Sequence, residues 1–326
     1  MSINLVWRTD VHLADKGPSS RKDDWTDTVF DKLDQVRRVA AKVNAAAILD
    51  GGDFFNIKSP SRNSHALVHR TAEHHSNYPC PVYCTPGNHD AVYGDYSFLP
   101  QQPLGVLFST GVFKRLYDEH EAVFTQNGVK VRVVGIPYHG TTYDMERFTS
   151  IEKGDEDILI CVAHVLASRK GGTMFEGEDI VKYKDLVDTA PDVFLFGHWH
   201  KDQGVEQIGD KTFVNIGSLT RGALSQDEVQ RRPACAILTC NPATKDAPAS
   251  VTTTVVRLRV KDAAEVFDVE ARERQIQRQV EMDSFVNSIR DTLTRSDTTG
   301  DLSTLITDMD LSGDIRERAL SYLERA

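Results

Sequence analysis

The chain has 326 residues, of which 40% are hydrophobic and 26% are charged, and these proportions are ordinary for a soluble globular protein. This length predicts one large domain or two unequal ones. No stretch approaches the roughly 18 apolar residues that a membrane-spanning helix needs, and the first residues lack the basic and apolar regions of a secretion signal. We therefore expect a cytoplasmic protein without a membrane anchor.

The net charge of −10 at pH 7 makes nucleic acid a poor default partner, because binding it requires local positive charge. The charge is unevenly distributed, however. Residues 261–326 hold nine basic and fifteen acidic side chains, whereas residues 1–260 hold 29 basic and 33 acidic ones. Two divalent cations would cancel the excess of the longer part. Total charge therefore neither indicates nor excludes a DNA substrate.

Strands and helices alternate at the start of the chain. Residues 3–8 are an apolar stretch typical of a buried strand, and residues 28–46 carry apolar side chains at the three- and four-residue spacing of a helix. A second strand is predicted at 47–49, a helix at 64–76 and a third strand at 81–84. This alternation, with apolar strands, indicates parallel pairing beneath helices.

Further strands follow, some of them in hairpins. The turns Asn127-Gly128 and Gly209-Asp210 each separate two short apolar runs, a strong hairpin signal. The predicted strands cover residues 122–125, 129–136, 157–163, 193–196, 205–208, 212–216, 235–239 and 251–260. After residue 260 apolar residues recur at helical spacing among charged ones. We therefore predict a domain over residues 1–260 and a helical C-terminal extension over residues 261–326.

Five clusters rich in Asp, His and Asn each follow an apolar strand. They are Asp10-Val11-His12, Gly52-Asp53, Gly87-Asn88-His89-Asp90, His164 and His198-Trp199-His200. Open α/β sheets place their ligand crevice at the carboxyl ends of the strands, so we expect the clusters to meet. Carboxylate, imidazole and amide ligands without thiolate suit Mn, Fe or Zn. Seven candidate ligands exceed what one tetrahedral ion uses, which favours two ions sharing a carboxylate, the usual arrangement for phosphoester displacement.

The local backbone of these clusters is also predictable. An extended backbone in Asp10-x-His12 and His198-x-His200 would place both side chains of each pair on one face. Glycine and asparagine at Gly87-Asn88 permit a tight, strained turn directly after the third strand.

The five motifs together resemble the calcineurin-like metallophosphoesterase superfamily, over residues 1 to about 260. Three stretches are similar to the SbcD-type nuclease subunits of DNA break-repair complexes, including phage versions: residues 9–13 (TDVHL), 196–200 (FGHWH) and 217–222 (GSLTRG). The protein-phosphatase branch instead carries glutamate where Asp90 stands and arginine where Pro86 stands. The resemblance implies an α/β fold, a four-layer α-β-β-α sandwich, here with the helical extension behind it.

The resemblance also implies a role for each motif residue. One divalent ion would be held by Asp10, His12 and His200, the other by Asn88, His164 and His198, with Asp53 bridging the two. Mn²⁺ is the expected metal, and Mg²⁺, Fe²⁺ and Zn²⁺ are left open. His89 would stabilise the phosphoryl oxygen or protonate the leaving oxygen as general acid, with Asp90 orienting its imidazole. Apart from the resemblance, Arg21 and Arg221 are candidates for phosphate contact, with surface solvation as the alternative. His139, in a loop within reach of the site, is a further candidate for substrate contact.

The function implied is a metal-dependent DNA exonuclease or endonuclease, the nuclease subunit of an SbcCD-like repair and recombination complex, in the host cytoplasm if the gene is a phage gene. SbcD-type chains usually carry a capping domain that helps grip DNA, whereas the pattern of residues 261–326 predicts acidic helices that resemble a partner-binding element more than a DNA clamp. We expect this extension to dock an SbcC-type ATPase; packing on its own domain and a homodimer are left open. The alternatives are a small-substrate phosphodiesterase or phosphatase and a non-catalytic scaffold.

Overall fold

The computed structural model describes residues 2–91, 95–171 and 177–270, together with positions 274, 277, 278, 280, 284, 306 and 316. The chain divides into two compact units, Met1–Phe267 and Asp268–Ala326. Most of the helical extension predicted for residues 261–326 lies outside the described residues, so it stays a prediction. Among the described residues, no helix combines the length and apolar character that crossing a membrane requires.

The strands of the first unit form two six-stranded sheets and one short two-stranded sheet. In chain order they are β1 (Ile3–Arg8), β2 (Ala47–Asp50), β3 (Val82–Cys84), β4 (Phe113–Arg115), β5 (Ala122–Gln126), β6 (Val129–Ile136), β7 (Ile158–His164), β8 (Ala167–Ser168), β9 (Val181–Lys182), β10 (Val193–Gly197), β11 (Gly204–Ile208), β12 (Lys211–Asn215), β13 (Ala234–Asn241) and β14 (Ser250–Arg257). The first sheet has the order β14-β13-β1-β2-β3-β4 and the second the order β11-β12-β10-β7-β6-β5, while β8 pairs with β9.

The helices of this unit are α1 (Trp25–Lys42), α2 (His65–Ser76), α3 (Pro103–Ser109), α4 (Glu146–Thr149), α5 (Gln226–Gln230) and α6 (Ala263–Val266). Short 3-10 helices cover Pro60–Arg62, Tyr96–Gln101 and Tyr183–Leu186. The side chains of Asp24 and Ser64 accept hydrogen bonds from the first turns of α1 and α2. Such capping satisfies amide groups that have no partner within the helix.

Apolar side chains form three layers around the two sheets. Between the sheets, residues such as Trp7 and Leu49 from the first pack with Ile160 and Leu195 from the second. The outer face of the first sheet is covered by α1, α2 and α3. The outer face of the second packs on a separate cluster that includes Phe148 of α4. Two six-stranded sheets flanked by helices confirm the α/β sandwich predicted from the sequence.

The strands β1, β2, β3 and β4 pair in parallel, as do β6, β7, β10 and β12. Their carboxyl ends therefore come together at the edge where the polar clusters lie. Both turns predicted as hairpins join paired antiparallel strands, and Asn127 and Gly128 have the positive φ values of 55° and 79° that a two-residue hairpin turn favours.

The sequence pattern missed α3 and β4. The Pro103–Ser109 helix has only seven residues, which is too short for periodicity to identify. The strand Phe113–Arg115 alternates only once, with one buried residue followed by two exposed ones. Helix α1 also begins three residues before its predicted start, at Trp25, because the Asp24 cap fixes its first turn.

A buried ion pair joins the ends of β1 and β2. Arg8 Nε donates to Asp50 Oδ2 at 2.6 Å, and both side chains are fully buried. The guanidinium also contacts Tyr78 Oη at 3.2 Å and His75 Nε2 at 3.1 Å. Asp50 Oδ1 in turn accepts from the amide of Gly52 at 3.1 Å. The pair thus stabilises the turn that precedes Asp53.

Replacing Asp50 with alanine should strongly destabilise the fold, because Arg8 would remain buried without its counter-charge. Removing one partner of a buried pair costs about 3–5 kcal/mol. The measurement is urea unfolding of the metal-free protein, followed by circular dichroism. Asp227→Ala is the control, because it breaks a surface ion pair whose side chains, Lys201 and Asp227, are 60% and 65% exposed. Such pairs contribute less than about 1 kcal/mol. Equal losses for the two variants would contradict this role of the pair.

Candidate metal centre

The candidate site lies where the carboxyl ends of the parallel strands of both sheets come together. Hydrogen bonds cross from one sheet to the other there. His164, at the end of β7, donates from Nδ1 to the carbonyl oxygen of Gly51 at 2.6 Å. The amide of His198 donates to both carboxylate oxygens of Asp10 at 3.1 Å. The predicted clusters are thus brought together by main-chain contacts as well as by the direction of the strands.

The loops after β1 and β2 run side by side and prolong the pairing of these strands. The amides of Asp10 and His12 donate to the carbonyl oxygens of Gly52 and Asp53, at 3.0 and 2.9 Å. Leu13 continues the pattern in a parallel bridge with Phe55. Candidate ligands from two separate motifs are therefore held in one register.

The backbone at these ligands is left-handed, not extended. The φ values of Asp10, His12, Asp53 and His198 are 52°, 51°, 51° and 82°. The extended backbone expected in Asp10-x-His12 and at His198 is therefore wrong. Non-glycine residues in this region are strained and cluster at functional sites. The strained residues include four of the seven candidate ligands, whereas neither Gly87 nor Asn88 is among the residues with positive φ.

Gly87 and Gly197 are required for close approach. A Cβ on Gly87 would lie 2.2 Å from Asp53 Oδ1 and 2.6 Å from His164 Cε1. A Cβ on Gly197 would lie 2.5 Å from Thr9 Oγ1 and 2.9 Å from His164 Nδ1. Each distance is shorter than Cβ atoms tolerate. These glycines let the strand ends pack directly against the candidate ligands.

Within the described part of the chain, two groups of side chains have the geometry to hold a metal ion. The first is Asp10, His12, Asp53 and His200, and the second is Asp53, His164 and His198; within each group the ligand atoms lie within 4.8 Å of one another. Asn88 Oδ1 joins the second group at 3.2 Å from His164 Nε2. These groups are the ones that the resemblance implies, and Asp53 is the member they share.

The donor atoms of the first group converge closely. His12 Nε2 lies 2.8 Å from His200 Nε2 and 3.9 Å from Asp53 Oδ2. His200 Nε2 lies 3.6 Å from Asp10 Oδ1. In the second group, His164 Nε2 lies 3.4 Å from Asp53 Oδ2. Both ions would therefore meet a mixed set of imidazole nitrogen and carboxylate oxygen donors, which suits divalent transition metals.

Asp53 carries the clearest sign that a cation belongs here. Its Oδ1 accepts from the amide of His89 at 2.7 Å, but its Oδ2 is buried and has no hydrogen-bond partner. A buried carboxylate oxygen without a partner is costly unless a cation compensates it. The donor set and this oxygen together fit two metal ions that share Asp53.

The two buried imidazoles differ in protonation. Burial, and then the charge of His200, lower the pKa of His12 to about 3, so this ring is neutral at pH 7. Burial alone would lower the pKa of His164, but the carboxylate of Asp53 raises it to about 9. Burial by itself would raise the pKa of Asp53, yet the neighbouring His164 holds this pKa well below its usual range. A metal ion would replace the proton of His164.

His89 stands beside the first group without belonging to it. Its ring meets that of His12 edge-on, with centroids 4.9 Å apart. Nδ1 lies 2.7 Å from the carbonyl oxygen of Asn56; because this oxygen can only accept, we assign the proton to Nδ1. Nε2 is then the ring nitrogen left for substrate.

Asp90 does not orient His89, and that prediction is wrong. Asp90 Oδ2 accepts from the amides of Asp53 at 2.7 Å and Gly87 at 2.9 Å, and among the described residues no hydrogen bond joins it to the His89 ring. Burial, and then the charge of Asp53, raise the pKa of Asp90. The carboxyl group turns inward because two buried amides need an acceptor, so its role is to fix the turn that carries Asn88.

The two arginines proposed for substrate contact are structural. Arg21 forms a bidentate pair with Asp23 at 2.7 and 2.6 Å and donates its third group to the carbonyl oxygen of Arg221. Its side chain is 2% exposed. Arg221 donates to the carbonyl oxygens of Val229 and Lys261. These contacts engage the guanidinium groups, so the predicted phosphate contacts are wrong for this arrangement.

His139 is also engaged elsewhere. Its Nδ1 contacts the carbonyl oxygen of Pro137 at 3.0 Å, and Nε2 accepts from the amide of Asp144 at 3.2 Å. The preceding residue lies at the site instead. The ring of Tyr138 lies 5.2 Å from that of His198 and 6.2 Å from that of His164. The position of this loop after β6 predicted a contact with the site, but the sequence pattern did not distinguish Tyr138 from His139.

Glu178 was missed altogether. Its Oε1 lies 2.8 Å from His198 Nε2 and accepts from Tyr143 Oη at 2.7 Å. Burial by itself would raise the pKa of Glu178, but the hydrogen bonds with His198 and Tyr143 have the larger effect and lower this pKa. The group is therefore a carboxylate. No motif or strand end marks this residue in the sequence, which is why sequence analysis could not find it.

A cavity of about 440 Å³ opens beside the first group. His12, His89 and His200 form its wall on the metal side, and Trp25 and Gly222 contribute to the remaining wall. Trp25 Nε1 donates to the carbonyl oxygen of His12 at 3.1 Å, which fixes the orientation of the indole. The cavity has the volume of a small-molecule site.

A family model described as calcineurin-like phosphoesterase matches residues 6–202, which is more than half of the chain. Solved structures that resemble this chain include the protein TT1561 of Thermus thermophilus, 14% identical, and a dimetal phosphatase from Danio rerio, 9% identical. Each match covers 79% of this chain and 100% or 99% of the other, with a TM-score of 0.45. A search of curated proteins found no match.

Asp53→Asn should weaken both metal ions together, because this carboxylate is common to the two groups. Calorimetric titration of the metal-free protein with Mn²⁺ should give two ions per chain for the wild type and loss of high-affinity binding at both positions for the variant. Asp210→Asn, a matched charge change in an exposed hairpin turn, should bind like the wild type. A variant that loses one ion and keeps the other tightly would contradict the bridging assignment.

Proposed function

This chain belongs to the calcineurin-like phosphoesterase family, and we propose that it is a metal-dependent DNA nuclease. The family match supports a hydrolase that acts on phosphoesters. The observation that carries the proposal is the pair of ligand groups joined through Asp53, with its unpartnered buried oxygen. The similarity of residues 9–13, 196–200 and 217–222 to SbcD-type nucleases is what directs it to DNA.

Asp10, His12 and His200 would hold one ion and Asn88, His164 and His198 the other, with Asp53 between them. When bound, such a metal pair supplies Lewis-acid polarisation of the phosphoryl group and activation of water. Mn²⁺ is the metal we propose. Main-chain hydrogen bonds keep these side chains in place, so little reorganisation is needed on binding, which is the preorganisation that electrostatic stabilisation requires.

His89 would act on the substrate and not on the metal. Its backbone amide donates to Asp53 and its Nδ1 to Asn56, which direct the ring toward the cavity. When protonated, Nε2 can donate to a phosphoryl oxygen or give its proton to the leaving oxygen. General acid catalysis of this kind contributes about 10²–10⁴-fold in rate.

The cavity beside His89 supports a substrate with a group the size of a nucleoside next to the scissile phosphate. Its metal-side wall carries three imidazoles, and Trp25, 4% exposed and fixed in orientation, lies behind part of the remaining wall. The same small volume also favours the second candidate, a phosphodiesterase or phosphatase of small nucleotides. The two candidates share the chemistry and differ in the length of substrate.

The first test compares two substrates. With Mn²⁺, the wild-type protein should cleave both a short DNA duplex and a chromogenic phosphodiester, whereas His89→Asn should lose about 10²–10⁴-fold on both while binding two ions. His120→Asn, an exposed histidine, is the matched control and should retain activity. Turnover of the chromogenic diester alone would favour the small-substrate alternative, and loss of metal from His89→Asn would make His89 a ligand.

We further propose that the unit Asp268–Ala326 docks an ATPase partner of the SbcC type. Residues 261–326 are acidic, which disfavours the DNA backbone as their target. Val269 and Val280 are 40% and 57% exposed, so apolar surface is available for a protein partner. The first unit ends at Phe267, whose buried ring lies against the guanidinium of Arg21.

A truncation after Phe267 should therefore spare hydrolysis of the chromogenic diester, because every candidate ligand lies at or before residue 200. The same protein should lose binding to the ATPase and any stimulation by ATP. The measurements are diester turnover and co-sedimentation with the purified ATPase. Val280→Asp in the full chain tests docking without truncation. A truncated protein that melts many degrees lower would favour packing of the extension on its own domain.

A further inference from the structure

A chain of three polar groups leads from His198 to the end of β7. Glu178 Oε1 lies 2.8 Å from His198 Nε2 and accepts from Tyr143 Oη at 2.7 Å. The same Tyr143 oxygen accepts from the amide of Leu166 at 3.0 Å. Leu166 lies two residues after His164. The contacts of Tyr143 and Glu178 thus tie the two histidines of the second group to one support.

The support is buried and fixed from several sides. The side chains of Glu178 and His198 are 9% and 10% exposed, and Tyr143 is buried. Asp179, the residue after Glu178, is fixed by two hydrogen bonds. Its amide donates to the carbonyl oxygen of Thr141 at 2.8 Å, and its carboxylate accepts from the amide of Tyr143 at 3.3 Å. Glu178 is therefore positioned by the fold and is not a surface carboxylate that meets His198 by chance.

Glu178 contacts a candidate ligand but is not a member of either group whose ligand atoms lie within 4.8 Å of one another. A histidine that donates one ring nitrogen to a carboxylate presents the other nitrogen to a metal, with its tautomer and ring orientation fixed and its basicity raised. His164 is held in a comparable way through its other ring nitrogen, since its Nδ1 donates to the main-chain oxygen of Gly51. For His198, the partner found within the described part of the chain is this side chain.

We propose that Glu178, held by Tyr143, is the positioning residue that orients His198 and sets the affinity of the second metal position. The inference rests on the two-metal part of the proposed function and adds a residue to it. It concerns the second position, because Asp10 and His12 of the first group have their own support from Thr9, Trp25 and the loops after β1 and β2. Removing Glu178 should therefore act on one ion and leave the other.

The experiment measures Mn²⁺ binding by the full chain without any substrate. Calorimetric titration gives the two affinities, and electron paramagnetic resonance reports whether two ions occupy neighbouring positions. Glu178→Ala should weaken the second ion by about 10–100-fold, the usual effect of losing such a partner. Tyr143→Phe should act in the same direction, and Glu178→Gln, which keeps an acceptor oxygen, should recover part of the affinity. Glu146→Ala, an exposed glutamate on α4, should bind like the wild type.

The expected result is selective: the first ion keeps its affinity, and the unfolding midpoint of the metal-free protein does not change. Unchanged affinity for both ions in Glu178→Ala would overturn the inference, and so would equal loss of both ions, since that would indicate a structural role. The wild-type titration separates this outcome from failure of the proposed function. If the wild type binds a single ion, the two-metal proposal itself is wrong.

Discussion

The position of one carboxylate, that of Asp53, determines the rest of the site. Its Oδ1 accepts a hydrogen bond from the amide of His89. Its Oδ2 is buried and has no hydrogen-bond partner; it lies 3.4 Å from His164 Nε2 and 3.9 Å from His12 Nε2. Burying a charge this way is unfavourable unless cations compensate it. The surrounding imidazoles compensate it in part, which is why the pKa of His164 is raised. The site is thus organised around a negative charge that two groups of ligands share.

This arrangement carries a cost in the backbone. Asp10, His12, Asp53 and His198 all have left-handed φ values, and each such residue costs about 1–3 kcal/mol. The cost is offset by contacts that leave the loops no alternative path. Main-chain hydrogen bonds join the loops after β1 and β2, and the buried Arg8–Asp50 pair fixes the strand ends from which they leave. The strain is concentrated on the ligands because their side chains must turn toward one point.

Sequence analysis predicted the longer strands, the two hairpins and the convergence of the polar clusters, because apolar runs and turn residues are local signals. It was wrong where contacts between residues far apart in the sequence determine the role of a side chain. Nothing near Asp90 in the sequence reveals that its carboxyl group accepts from the distant amide of Asp53, and nothing near Arg21 reveals that it donates to the carbonyl oxygen of Arg221. Glu178 belongs to no motif. The strained backbone also escaped prediction, since left-handed φ at aspartate and histidine is imposed by tertiary structure.

The distribution of ligands between the sheets gives the site a mechanical consequence. Each group takes side chains from both sheets: Asp10 and His12 follow β1 while His200 follows β10, and Asn88 follows β3 while His164 ends β7. A shift of one sheet relative to the other would therefore separate both groups at once. The apolar layer between the sheets, including Trp7 and Leu195, prevents such a shift because close-packed interiors resist small displacements. The inter-sheet core is thus part of the metal centre, and ions bound across it would stabilise the native state by mass action.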